Sequence, residues 1–63
     1  MLTLSATCVA IALADERGTL RLEERSGRFG AYVAISDETG LIEVTDNMDE
    51  ATARVQALRD RRA

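Results

Sequence analysis

Histidine, lysine and tryptophan are absent from this chain, and cysteine, phenylalanine and tyrosine each occur once. Without histidine, no Ser–His or Cys–His nucleophile pair can be assembled. With Cys8 as the single thiol, no disulfide can close within the chain. One cysteine and no histidine also leave a structural zinc site without its usual ligands. All the basic residues are arginine. Together with the alanine content, that is the composition of a GC-rich bacterial or phage genome. The scarcity of aromatics leaves a light core. Sixty-three residues make one small domain, of a size that buries only about 60% of its unfolded surface and is marginal alone. A homodimer is the simplest remedy and is predicted.

The residues that remain offer little catalytic chemistry. Cys8 sits among small apolar residues and reads as a packing residue rather than a thiolate. Asp37-Glu38 and Asp49-Glu50 are adjacent carboxylates on surface turns, and adjacency alone does not make an acid–base pair. Gly27-Arg28-Phe29-Gly30 matches no phosphate-binding loop. The expectation is a protein that is not an enzyme and has no catalytic residues, cofactor or metal.

What is present is a strand, a tight turn, a second strand and a capped helix between Gly27 and Leu58. From Arg28 to Ser36 the pattern has period two. It places Phe29, Ala31, Val33 and Ile35 on one face and Tyr32, Ala34 and Ser36 on the other. Asp37-Glu38-Thr39-Gly40 is a turn signal, and a short turn between two such strands makes an antiparallel hairpin. Leu41 to Thr45 resumes the alternation, with Ile42 and Val44 read as inward and Glu43 and Thr45 as outward. Asn47 is a good N-cap, and Glu50 three residues on completes a capping box. Met48, Ala51, Val55 and Leu58 then share one helical face.

Residues Leu2 to Ala14 carry no charge. Ala12-Leu13-Ala14 resembles a signal-peptidase site, but no basic residue precedes the run, and the run is too short to span a bilayer. It is read as folded structure in a cytoplasmic protein. Thr3, Ser5, Thr7, Val9 and Ile11 favour a long first strand, with a bulge near Ala6-Thr7 to reconcile the parity of Leu2 and Leu4 with Val9 and Ile11. The rival is a short helix over about residues 6–14, since Ala and Leu favour helix. Asp15-Glu16-Arg17-Gly18 and Arg25-Ser26-Gly27 are read as turns. The fold class is therefore α+β: a three- to four-stranded antiparallel meander packed on one face by a single C-terminal helix. As one domain spanning 1–63, it has strands at about 3–14, 19–24, 28–36 and 41–45 and a helix at about 48–61.

The helix is expected to cover Val9, Ile11, Leu13, Leu20, Leu22, Phe29, Val33, Ile35, Ile42 and Val44. The opposite face then shows Cys8, Ala10, Ala12, Tyr32 and Ala34, a flat patch suited to self-association or another protein. Charge is blocky. Asp37, Glu38, Glu43, Asp46, Asp49 and Glu50 form an acidic stretch without a base. Turn chemistry and helix capping account for most of them, and an acidic surface meeting a basic partner is the alternative. Candidate protein-binding residues are thus Tyr32, Ala34, Asp37, Glu38, Glu43, Asp46, Asp49 and Glu50. Candidates for phosphate contact are Arg21, Arg28, Arg59, Arg61 and Arg62.

Gly27-x-Phe29-x-Ala31-x-Val33, Gly40, a strand, and Asp49-Glu50-Ala51 opening a helix form a layout similar to two kinds of DNA-binding domain. It resembles the N-terminal three-strand-plus-helix domains of phage-type integrases, which bind arm-type sites, and the plant ethylene-response domain. A short bacterial domain of unknown function shares the same order. The resemblance covers about residues 19–58. It implies a sheet face that reads the major groove, with Arg21, Arg28, Tyr32 and Glu43 at the matching positions. Only the two arginines suit that role, and the net charge of −3 opposes it. The leading expectation is a small non-enzymatic protein-binding module, such as a phage-type inhibitor of the anti-CRISPR kind. The alternative is a nucleic-acid-binding module using the sheet face and the C-terminal arginines.

Overall fold

The computed structural model describes residues 5–62. Along the chain run α1 (Ala6–Arg17), β1 (Arg21–Gly27), β2 (Gly30–Asp37), β3 (Gly40–Thr45) and α2 (Met48–Arg62). The strands form one antiparallel sheet in the order β1-β2-β3. The fold is α+β, with a C-terminal helix packed on the sheet, as the alternation and the capping box indicate. The first element differs from expectation. It is a helix packed beside α2, and the sheet has three strands. Leu2, Thr3 and Leu4, assigned above to a first strand, lie outside the described residues.

Two caps explain why α1 is helical. The Ser5 hydroxyl accepts the backbone N–H of Cys8 at 3.2 Å, which satisfies one of the free donors of the first turn. At the far end Gly18 takes the left-handed conformation, φ 74°. Its N–H reaches the Asp15 carbonyl at 3.2 Å, and the Thr19 N–H reaches that of Ala14 at 3.0 Å. Those two bonds are a Schellman closure, which needs a residue that tolerates positive φ. Between the caps, alanine and leucine favour helix over strand. Helical spacing puts Cys8, Ile11 and Ala14 on one side, with Ile11 fully buried. Cys8, Ala10 and Ala12 are therefore helical residues and do not line a sheet face.

The first hairpin turns later than Arg25-Ser26-Gly27. Gly27 pairs with Gly30 across the ladder, so Arg28 and Phe29 form the tip. Gly30 has φ 116°, the conformation that a chain closing this hairpin requires and that a side chain would strain. Arg25 and Ser26 are both polar, so no alternation marks that they still belong to a strand. Phe29, expected to face inward, is 98% exposed at the tip.

A bulge rearranges β3. Ser36 pairs with Leu41, but Ile35 pairs with Glu43, so Ile42 is the extra residue between Ile35 and Ser36. One inserted residue exchanges the two faces for everything beyond it. Ile42 still packs against the core, whereas Glu43 and Thr45 turn towards the helices and Val44 turns away. The inward assignment of Val44 and the outward one of Glu43 and Thr45 are thereby corrected. Val9 and Leu13, also expected inward, are exposed on α1.

The end of β3 leads directly into α2. The Thr45 hydroxyl donates to the Asn47 carbonyl at 3.0 Å. The Asn47 side-chain oxygen accepts the Glu50 N–H at 2.8 Å, and the Glu50 carboxylate accepts the Asp46 N–H at 3.4 Å. Ala51, Val55 and Leu58 are buried along one face of α2, with Met48 partly covered. They close on Ile11, Val33 and Ile35 to form a single core. Both helices pack on the Val33 and Ile35 side, and among the described residues no element lies on the opposite side of the sheet.

Candidate functional site

The register defines the uncovered face. Tyr32, Ala34 and Ser36 of β2 lie on it, with Arg25, Glu23 and Arg21 as their β1 partners. Val44 and Leu41 oppose Ala34 and Ser36 from β3. Although none of the described elements packs above them, Ala34 and Ser36 are buried, while Leu41 and Val44 are 60% and 50% exposed. The small central side chains are thus the floor of a shallow trough. Its walls are a charged row on β1 and an apolar row on β3. Arg25 and Glu23 approach each other at 3.9 Å along the charged wall.

Beyond Thr45 strand β3 stops, and Ala31 and Tyr32 lose their neighbour on that side. A hollow of about 160 Å³ remains there, lined by Tyr32, Glu24, Asp46 and Met48 among others. Of the predicted protein-binding residues, Tyr32 and Asp46 come together at this hollow. Glu38 lies at the opposite end of the sheet, against a second hollow formed with Gly18, Thr19 and Arg21. Asp49 is exposed in the first turn of α2.

The other predicted residues are committed internally. Asp37 Oδ1 accepts the Thr39 N–H at 2.8 Å, the Thr39 hydroxyl at 2.7 Å and the Gly40 N–H at 3.2 Å. Those donors, led by the Thr39 hydroxyl, hold the Asp37 carboxyl below its ordinary value of 3.8. Glu50 completes the helix cap. Glu43 pairs through Oε1 with Arg54 Nη1 on the helix side of the sheet. That contact, more than any other, raises the Arg54 guanidinium above its ordinary value. Arg54 Nη2 also lies 3.9 Å from Glu50. Ala34 is the trough floor and offers no projecting surface. The acidic block is therefore divided between two ends of the molecule and the interior, and is not one surface.

The predicted phosphate contacts are scattered likewise. Arg59 donates Nε and Nη2 to the two oxygens of Asp15, at 2.9 and 2.7 Å, which ties α2 to the end of α1. The same pair raises Arg59 above its ordinary value. Arg21 is on the uncovered face, Arg28 is at the hairpin tip, and Arg61 lines a cleft on the helix side. The side chain of Arg62 lies outside the described residues. The groove-reading set implied by the family resemblance is also divided, because Glu43 faces the helices and not the Arg21 and Tyr32 side.

That cleft is the largest hollow among those described, about 440 Å³, and lies between the start of α1, β3 and α2. Cys8, Thr7, Glu43, Arg54 and Arg61 line it. Glu43 Oε2 is buried there with no hydrogen-bonding partner among the described residues. The pair is a closed ion contact with one idle oxygen. Among the described residues, no three His, Cys, Asp or Glu side chains converge in a way that would hold a metal ion. No described helix is long and apolar enough to cross a membrane.

A scan against protein-family models found no match, and searches of curated proteins and of solved structures found none either.

Sequence reasoning missed Leu41 and Val44 as surface residues and Glu43 as an interior one. The available signal was Leu41-Ile42, two adjacent apolar residues that break the alternation where the bulge falls. For α1 the signal was Ser5 and Gly18, a good N-cap and a good C-cap bracketing a helix-length uncharged run.

Proposed function

We propose that this chain is a small protein-binding module without catalytic chemistry, acting as a phage-type inhibitor that occupies a partner's surface with the uncovered face of its sheet. One observation carries the reading: the trough beside Leu41 and Val44, with Tyr32 at one end, has an apolar wall over which none of the described elements packs. Tyrosine and arginine together, here Tyr32 and Arg25, are the side chains that most often anchor protein interfaces. The charged wall supplies both signs, so it fixes the orientation of a bound segment rather than drawing in any polyanion. A basic partner would be met by Asp46 beside Tyr32, and by Glu38 at the far end. The composition suits the cytoplasm of a bacterium or of a phage-infected one, and we place the module there.

The test compares capture by three immobilised forms: the unaltered chain, Val44→Arg and Tyr32→Ala. A protein retained from bacterial extract by the unaltered chain and lost by both variants, while their circular dichroism is unchanged, supports the trough. Equal retention by all three removes it. In parallel, a fluorescently labelled duplex DNA is titrated at several salt concentrations. Tight binding that falls steeply with salt would replace this reading with nucleic-acid binding through Arg21, Arg28 and Arg61.

A further inference from the structure

The sheet is not uniform along its length. Strand β3 pairs only with Val33 to Asp37, whereas β1 and β2 stay paired as far as Gly27 and Gly30. The last three rungs, Arg25 with Tyr32, Ser26 with Ala31 and Gly27 with Gly30, therefore stand beyond β3. At about 3.3 Å per residue, that is a two-stranded ribbon roughly 10 Å long. Arg25, Ser26, Gly27, Gly30 and Ala31 are all exposed, and Arg28 and Phe29 form the end of the ribbon.

One exposed apolar residue is ordinary on any surface, but here several unusual features coincide. Between Glu24 and Asp37 the chain has no acidic residue. That same segment holds both aromatics of the chain, Phe29 and Tyr32, and two arginines, Arg25 and Arg28. Phe29 is 98% exposed, in a turn where small and polar residues are the rule. The ring adds nothing to the core, so the fold supplies no reason for it. Arg28 makes no ion pair among the described residues, and Arg25 makes only a long, exposed one with Glu23. The support is braced. The Tyr32 ring lies against Gly27, where an added Cβ would stand 3.2 Å from Tyr32 Cε1. An aromatic held out on a braced turn loses little freedom on binding, which suits it to anchor an interface.

We propose that the free end of this hairpin enters a recess on the protein partner, with Phe29 against an apolar base and Arg28 and Arg25 against carboxylates at the rim. The inference rests on the protein-binding reading above and adds how the partner is engaged. Shape selects a recess, because a ribbon two strands wide, ending in a two-residue turn, buries little against a flat surface. Charge selects an acidic rim, and it also selects protein over nucleic acid. A phosphate backbone carries charge along its whole length. It would run from the basic end past Glu24 and Asp46 beside the ribbon, over a chain whose net charge is −3. A recess meets the basic end alone.

The test is photo-crosslinking of the full chain in bacterial extract, with Phe29→benzoylphenylalanine as the probe and the cross-linked site mapped by mass spectrometry. Competition is measured with the unaltered chain, Phe29→Ser and Arg28→Glu, each shown to be folded by circular dichroism. The expected result is a cross-link to one protein, at an apolar segment with Asp or Glu beside it. The unaltered chain displaces it, and either variant does so only at a roughly 10- to 100-fold higher concentration. A cross-link to nucleic acid overturns the inference, as does displacement by Phe29→Ser at the same concentration as the unaltered chain. Retention that Val44→Arg abolishes and Phe29→Ser leaves at full affinity overturns the hairpin end alone and leaves the trough standing. Retention by none of the forms removes the protein-binding reading and this inference with it.

Discussion

Replacing Ile11 by alanine tests the largest departure of the structure from the strand pattern. Ile11 is fully buried among Val33, Ile35, Val55 and Leu58. The substitution removes three carbons, worth about 0.8 kcal/mol each in transfer terms. The cavity left behind brings the loss to roughly 3 kcal/mol, within the usual span of about 2–5. A domain of 63 residues has a total stability of about 3–9 kcal/mol, so Ile11→Ala removes a third of it or all of it. Ile11→Val, at about 1 kcal/mol, gives a graded point if alanine unfolds the chain. Leu13 is 42% exposed and opens no cavity, so Leu13→Ala loses about 1 kcal/mol or less. Val9→Ala is close to neutral, since the gain in helix propensity of about 0.6 kcal/mol offsets the lost area. Urea unfolding followed by circular dichroism reads these differences directly. At an m-value of about 1 kcal/mol/M, Ile11→Ala moves the midpoint by roughly 3 M. Measurements at several protein concentrations separate a core loss from a lost dimer contact, because only the latter depends on concentration. In a strand, positions 9, 11 and 13 share one face and would lose similar amounts. Equal losses at the three positions, extrapolated to low concentration, would refute the helical packing.

Other expectations follow from single contacts. Glu43→Met leaves Arg54 with only Glu50 at 3.9 Å and Arg54→Met strands Glu43, so each should lose about 1–2 kcal/mol after allowing for partial exposure, whereas the double substitution to Met should be close to neutral; thermal melts of the two single variants and the double variant check this. Asp37 is held below its ordinary pKa, so its contribution is complete above about pH 4 and is lost as pH falls through the lower folded value. Asp37→Asn should therefore flatten the acid limb of a stability–pH curve, and an unchanged limb would count against the turn. Gly30→Ala at φ 116° should lose about 1–2 kcal/mol in urea unfolding. Phe29→Ser should change stability by less than about 0.5 kcal/mol, because that ring touches almost nothing.

The parts of the fold legible in the sequence were those fixed by local chemistry. Asn47 and Glu50 declare a helix start because their side chains satisfy backbone donors within four residues. Asp37 and Gly40 declare a turn for the same reason. The periodicity of Val33 and Ile35 marks the covered face of β2 because a central strand keeps its parity. The N-terminal run was ambiguous because its residues are apolar throughout, and an alternation of β-branched residues with alanine fits either period. There the end groups decide, and Ser5 and Gly18 cap a helix. The candidate surface was partly legible. Tyr32 was placed correctly on the face away from the helices. Ala34 was on the right face but too small to project above its neighbours. Glu43, Val44 and Thr45 were misplaced together by the bulge at Ile42, a tertiary adjustment that lets Ile42 reach the core despite its position.

That bulge decides more than the packing of one residue. Had β3 kept strict alternation after Leu41, Val44 would sit beneath the helices and Glu43 and Thr45 would face outward. The uncovered side of the sheet would then present Glu43 and Glu23 on either side of Ala34, an acidic surface suited to a cationic partner. With the bulge in place, Glu43 pairs with Arg54 on the helix side of the sheet, and Val44 replaces it opposite Ala34. The face becomes apolar on one edge and mixed in charge on the other. Net acidity, −3 over the whole chain, is therefore a poor guide to what this side of the sheet recognises. The partner proposed for it is accordingly an amphipathic protein segment, with apolar groups towards β3 and polar groups towards β1, rather than a polycation or a phosphate backbone.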